Sequence, residues 1–186
     1  MKLRQIFEMP ERIAQQEIKM PWNQVNTKVT LWSSELQGSF PGMVMKCHPL
    51  QNKVQHMIVV YADGKPVAGM LAHLGKEGAN STVEVAGITV LKSNRGSGIA
   101  LSIYLTLALK LGFVVVSDDV QTPGDAGIWK KIAGMYPKKV GVTEGEVSEV
   151  VPLDSWTEGD PFTNHFTRFV FSKTDIPVKA AATQAA

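Results

Sequence analysis

The chain of 186 residues has a single cysteine, Cys47, which excludes an internal disulfide framework and suits a reducing, cytoplasmic setting. Neither sign of charge dominates. Nineteen Lys+Arg against 17 Asp+Glu leave a formal +2, without the clustered basic footprint of a nucleic-acid binder. The opening stretch "MKLRQIFEMPERIAQQEIKM" has no apolar run, so a cleaved secretion leader is not expected. No internal repeat is visible. One long apolar stretch, Ile99–Val116, carries one charge, but Lys110 and Gly112 split it into a helix-length piece and a short β-branched piece. A buried helix feeding a buried strand fits it better than a membrane span. What remains, 44% hydrophobic and 19% charged residues, is the composition of one globular domain able to bury its own core.

Local patterns predict an order of elements. Lys2–Phe7 reads as a short strand, and Pro10 opens a helix to about Lys19. Between residues 22 and 50 the pattern is ambiguous: Trp22, Val25, Val29 and Trp32 recur at helical spacing, then Gly38, Pro41, Gly42 and Pro49 interrupt it. His56–Tyr61 and Pro66–Leu74 are strands joined by Ala62-Asp63-Gly64-Lys65, where Asp-Gly supplies the positive φ of a tight hairpin. A loop "GKEGANS" leads to a third strand, Thr82–Val90. A helix over Gly98–Leu111, a strand over Phe113–Val116 and a helix over Asp125–Met135 follow, and His165–Ser172 is a late strand. A helix between two strands joins them in the same direction. The predicted fold is therefore α/β of the α+β type, with a mixed, mostly antiparallel central sheet flanked by helices. Residues 1–175 form one domain, and 176–186 are expected to be a disordered tail.

The most informative stretch is "VAGITVLKSNRGSGIA", Val85–Ala100. A strand ending in a glycine loop that opens a helix presents backbone N–H groups without intrahelical partners, a setting that binds phosphate. Gly96 and Gly98 permit close approach and Arg95 adds charge. The stretch is not a Walker loop, having no Gly-Lys-Ser/Thr, nor a dinucleotide fingerprint, lacking the third glycine. A tight strand-to-helix connection with no ligand would use the same glycines.

Arg95-Gly96-Ser97-Gly98-Ile99-Ala100, after a strand ending at Val90, resembles the Arg/Gln-x-x-Gly-x-Gly/Ala signature of the GNAT superfamily of acyl-CoA-dependent N-acyltransferases. The order of elements is similar over residues 1–142, and with specificity over Thr82–Ile132. "SDDVQT…GIWKKI" is loosely similar to members from phages and mobile elements. The resemblance implies that the amides of Arg95, Gly96, Ser97, Gly98, Ile99 and Ala100 bind the pyrophosphate of coenzyme A. It implies also that Ile88, Thr89 and Val90 pair with the pantetheine arm, and that a backbone N–H there polarises the thioester carbonyl. Acetyl-CoA would be the co-substrate, with no metal. An amine on a small molecule or a protein would attack directly, with neither nucleic acid nor membrane as partner.

Such an attack needs a proton acceptor for the amine and a donor for the thiolate. Glu84, on the signature strand, is the candidate base, as glutamate is in some family members. Strand alternation places it on one face with Ala86 and Ile88. The alternative is that it faces solvent from a half-exposed strand or pairs with a lysine. The family's acid is often a tyrosine on the helix after the parallel strand, but this helix holds Trp129 there, leaving Tyr136, Tyr104 and Ser117 as candidates.

Cys47-His48 reads as a loop pair, since no second pair stands at metal-ligand spacing. His56, His73 and His165 read as strand residues. Lys130, Lys131, Lys138 and Lys139 precede an acidic stretch holding Glu144, Glu146, Glu149, Asp154, Glu158 and Asp160, which reads first as a solvated face and second as an attractor for a cationic acceptor. Two other functions compete with acyl transfer. One is a binding or structural protein of the same fold that has lost its chemistry. The other is a nucleotide binder using the same loop.

Overall fold

A computed structural model describes residues 21–52, 54–77, 79–118, 122–143, 150–157, 159–162 and 167–177. The strand and helix expected before Lys19, His165 and most of the acidic stretch lie outside these residues.

Among the described residues nine strands form one sheet: β1 (Trp32–Glu35), β2 (Val44–Pro49), β3 (His56–Ala62), β4 (Lys65–Glu77), β5 (Asn80–Val90), β6 (Val114–Val116), β7 (Val140–Thr143), β8 (Val151–Pro152) and β9 (Arg168–Phe171). Their order across the sheet is β1-β2-β3-β4-β5-β6-β9-β7-β8. Only β5 and β6 pair in parallel; every other neighbour is antiparallel. The mixed, mostly antiparallel sheet expected from the sequence is present.

Asp63 and Gly64 carry φ of 49° and 74°, the pair of positive values a two-residue hairpin demands. The "GKEGANS" loop is shorter than expected. Pairing continues until Glu77 stands opposite Asn80, so most of that stretch is strand. The helical spacing of Trp22, Val25, Val29 and Trp32 gives only a 3-10 turn at Trp22–Gln24. Val25 then bridges to Leu50, and Trp32 belongs to β1. Cys47 and His48, expected in a loop, are strand residues of β2.

Two helices are described. Helix α1 (Ile99–Leu105) runs on into a π-helical turn, Thr106–Lys110, closed by the Leu111 N–H on Thr106 O at 2.9 Å. Helix α2 (Pro123–Met135) is capped by Thr122, whose hydroxyl accepts from the Asp125 N–H while the Asp125 carboxylate reaches back to the Thr122 N–H. Neither helix is long and apolar enough to cross a membrane.

Both helices pack on one face of the sheet. Tyr104 of α1 meets Trp129 of α2 edge-on at 5.3 Å, and Trp129 stacks on Phe169 of β9 at 5.4 Å. Each such aromatic pair contributes about 1 kcal/mol beyond burial alone. Val83, Val85, Val115, Val140, Val142 and Phe171 belong to the same core. On the other face, the segment entering from Pro21 covers β2 to β4, where Val25 packs on Leu50, Met57 and Val59. Trp22 lies over Gly69; a Cβ there would come within 2.6 Å of the indole. Ile176, expected in a loose tail, donates its N–H to Lys138 O at 2.8 Å, and residues 178–186 lie outside the described region.

Candidate functional site

The site is built where β5 and β6 part. Their parallel pairing covers Thr82–Val114, Val83–Val115 and Glu84–Val116, and then β6 ends. β5 continues to Val90, paired with β4 on one side. Among the described residues no strand takes up its other edge beyond Glu84.

A bulge sits at the same place. Leu71 pairs with Gly87 and Ala72 with Val85, so Ala86 has no partner of its own on β4. One inserted residue reverses strand alternation. Glu84, opposite His73, therefore lies on the face away from the helices, whereas Ile88, opposite Met70, packs against the helix-side core. The sequence reading that put Glu84 and Ile88 on one face is corrected by this bulge.

Beyond Val90 the Leu91 N–H closes on Val67 O at 2.9 Å, and Lys92–Asn94 form a 3-10 turn. Arg95 then extends, its Nε donating to Val90 O at 3.1 Å. Gly96 has φ +79° and Gly98 φ +92°, the latter standing at the N-cap of α1 without a side-chain cap. No atom lies within 4 Å of a Cβ built on Gly96, and at Gly98 only Phe40 comes near, at 3.8 Å. These glycines are required by backbone conformation and not by crowding. The Ser97 hydroxyl donates to Asn94 O at 2.6 Å, and the backbone N–H groups of Arg95 and Ser97 turn inward to Lys92 O and Asn94 O, both at 3.4 Å, so a ligand would meet the amides of the first turn of α1. Ile99 is buried in the core and anchors the start of α1, while Ala100 beside it is half-buried. Ile88, Thr89, Val90 and the run from Arg95 to Ala100 thus follow one another along the open edge and around its end.

At the other end of that edge, Arg168 of β9 places Nη2 2.7 Å from Glu84 Oε1 and Nε 3.3 Å from Ser117 O. Glu84 keeps 49% of its side-chain exposure and Arg168 19%. Arg168 was not singled out in the sequence, and only the register of β9 brings it here. Ser117 is buried, its hydroxyl donating to Asp118 O at 2.9 Å and accepting from the Phe169 N–H at 2.8 Å. It ties β6 to β9.

Tyr136 is not brought to this place. It ends α2, and its ring lies 5.7 Å from that of Phe171 on the helix-covered face, whereas Glu84 and Arg168 meet on the opposite one. Helix α2 leaves the sheet after β6 and its 13 residues carry the chain about 20 Å away. Tyr104, on the core-facing side of α1, is fully buried; burial, with the Asp125 and Asp118 carboxylates adding to it, holds its hydroxyl protonated far above the usual tyrosine range.

No family model, curated protein or solved structure matches this chain. The chemistry of the site is therefore read from its own groups: an open strand edge, an uncapped loop of positive-φ glycines, and one carboxylate held by one guanidinium. Among the described residues no group of three or more His, Cys, Asp or Glu could hold a metal ion.

Proposed function

We propose that the chain is an acyl-CoA-dependent N-acyltransferase that moves an acyl group, acetyl in the simplest case, to an amine. The observation that carries this reading is the edge of β5 between Val85 and Val90 that no described strand takes up, which leads into the Arg95–Ala100 loop. An extended pantetheine arm with its two amides can pair with such an edge as an added strand would. The pyrophosphate would then meet the loop amides at the start of α1. The thioester carbonyl would lie near the parting point, within reach of a β5 N–H that stabilises the negative charge developing on its oxygen. The amine nitrogen bonds to the carbonyl carbon, the C–S bond breaks, the amine's proton passes to Glu84 directly or through water, and the thiolate leaves as coenzyme A after protonation. Ser117 and Tyr136 have no part in this scheme, because one hydroxyl is spent within the sheet and the other lies on the far face.

A second reading has an observation of its own. Glu84 is engaged by Arg168, and none of the three side chains expected to act as an acid, Ser117, Tyr136 and Tyr104, offers its hydroxyl beside it. That favours a protein of the same fold that binds coenzyme A, or a partner, without turnover. Calorimetric titration with acetyl-CoA, followed by thiol release with a panel of amines, separates the two. Micromolar binding with amine-dependent thiol release supports the transferase; binding without release supports the second reading; no binding removes both as cofactor proteins.

A further inference from the structure

A cavity of about 470 Å³ lies on the helix-free face at the β2–β3 corner, lined by Thr27, Thr30, Val44, Lys46, His48 and Tyr61, with glycines at its rim. It is of the size that takes a small molecule. Trp22, seated on Gly69 of β4, stands between it and β5, so it is separate from the open edge described above.

Its floor is a wired hydrogen-bond chain. His48 is 2% exposed, on a face where Leu50, Met57 and Val59 are apolar. Its Nδ1 lies 2.9 Å from Val29 O, which can only accept, so Nδ1 carries the proton. Nε2 of the neutral ring then accepts from the Tyr61 hydroxyl at 3.2 Å. Lys46 Nζ sits 5.5 Å from the centre of the Tyr61 ring. Burial raises the Tyr61 pKa, which keeps the hydroxyl a donor. The lining holds one cation and no carboxylate.

We propose that this cavity binds a small oxyanion, a carboxylate or a sulfate- or phosphate-type group, with Lys46 as its counter-charge and Tyr61 as its switchable hydrogen-bond partner. Protonation of His48 at Nε2 reverses the bond: the ring donates to the Tyr61 oxygen, and the hydroxyl proton turns to the cavity. An anion held there gains a donor, so binding and proton uptake are linked. The titratable groups facing His48 are Lys46 on its own strand and Tyr61 on β3, while the segment over it contributes the hydroxyls of Thr27 and Thr30 to the lining.

The test uses the full chain and two probes, sulfate and benzoate, each titrated at matched ionic strength against chloride and followed by amide chemical shifts. Saturable shifts at Thr27, Thr30, Lys46 and Tyr61 with either probe are expected, with binding tightening as the pH is lowered. Lys46→Met should weaken binding about tenfold, the loss of one charge-assisted hydrogen bond. His48→Gln, which removes the proton-accepting ring, should abolish the pH dependence while leaving binding through Lys46, and Tyr61→Phe should weaken binding at low pH by the loss of one hydrogen bond. Shifts that rise linearly, as with chloride, or saturation equal in wild type and Lys46→Met, would overturn the proposal. So would a pH dependence that survives His48→Gln.

Discussion

Arg168 on β9 and Glu84 on β5 meet at 2.7 Å across the intervening strand β6, and Arg168 Nε also reaches Ser117 O at the end of that strand. The guanidinium thus clasps three strands at the point where the parallel pair opens. Because Glu84 is half exposed, water screens the pair. Its coupling in a double-mutant cycle of Arg168→Met with Glu84→Gln, read from urea unfolding, should be about 0.5–1 kcal/mol. It should shrink at about 1 M salt. If the chain is a transferase, Glu84→Gln should slow thiol release at saturating acetyl-CoA while leaving the affinity for acetyl-CoA within about twofold, since a proton acceptor acts mainly on the chemical step.

The glycine loop makes a separate prediction. Gly96→Ala and Gly98→Ala each force a side chain into positive φ and should each cost about 1 kcal/mol. The space around both positions is open, so the cost is conformational and the fold should survive. Gly98→Glu adds a carboxylate where the pyrophosphate is expected. Calorimetry should then show no binding of acetyl-CoA, with a melting temperature close to that of Gly98→Ala. Acetyl-CoA binding retained in Gly98→Glu would remove the loop from the proposed site.

The two faces of the sheet were unequally legible from the residues. The Asp63-Gly64 turn, the helix after Gly98 and the parallel β5–β6 pair follow from local rules that need no tertiary information. The bulge at Ala86 does not announce itself in "VEVAGITV", because alternation reads the same with or without an unpaired residue, and so alternation alone puts Glu84 and Ile88 on one face. β7 and β8 are hidden in the sequence for another reason. "VGVT" and "VP" are too short to show a period, and they are strands only because β9 lies beside β7. Arg168 gains its meaning from that same register. His48 looked like half of a loop pair, and its partners, Val29 and Tyr61, are distant in sequence.

Two more glycines answer to crowding instead of φ. A Cβ on Gly69 would press on the Trp22 ring, and Trp22 is 39% exposed and able to tilt away. A Cβ on Gly141 would lie 2.8 Å from the Val151 backbone oxygen, inside the β7–β8 pair, where nothing can yield without breaking strand pairing. Gly69→Ala should therefore cost about 1 kcal/mol and shift tryptophan emission to longer wavelength, and Gly141→Ala should cost about 3 kcal/mol. Equal losses in melting temperature would contradict this account of the two sites.

His56 gives the stability a pH dependence. Burial first, and the neighbouring charge of His73 second, lower its pKa from the ordinary value of 6.5. A proton is therefore bound more readily by the unfolded chain than by the folded one. The contribution is fully present above the ordinary imidazole range and is lost as pH falls through it toward the lowered folded value. Urea midpoints should drop between about pH 7 and about pH 5, and His56→Gln should flatten that drop without moving the midpoint at about pH 8. An identical drop in the variant would assign it to other groups.

Cys47 gives the last prediction, and it follows from the side of β2 that the cysteine occupies. Its thiol is fully buried among Met45, Ile58 and the other residues of the helix-side core, and burial pushes its pKa up to about 12. The thiolate is the reactive form, so at about pH 8 the folded chain should present almost none of it, and water-borne reagents cannot reach the sulfur. Native protein should leave Ellman's reagent uncoloured for as long as it stays folded, and urea should release one equivalent of thiol. The rate of labelling below the unfolding midpoint then reports how often this half of the sheet opens. Rapid labelling of native protein would mean that β2 does not stay packed against its core, and with it the cavity wall formed by Lys46 and His48 would fall.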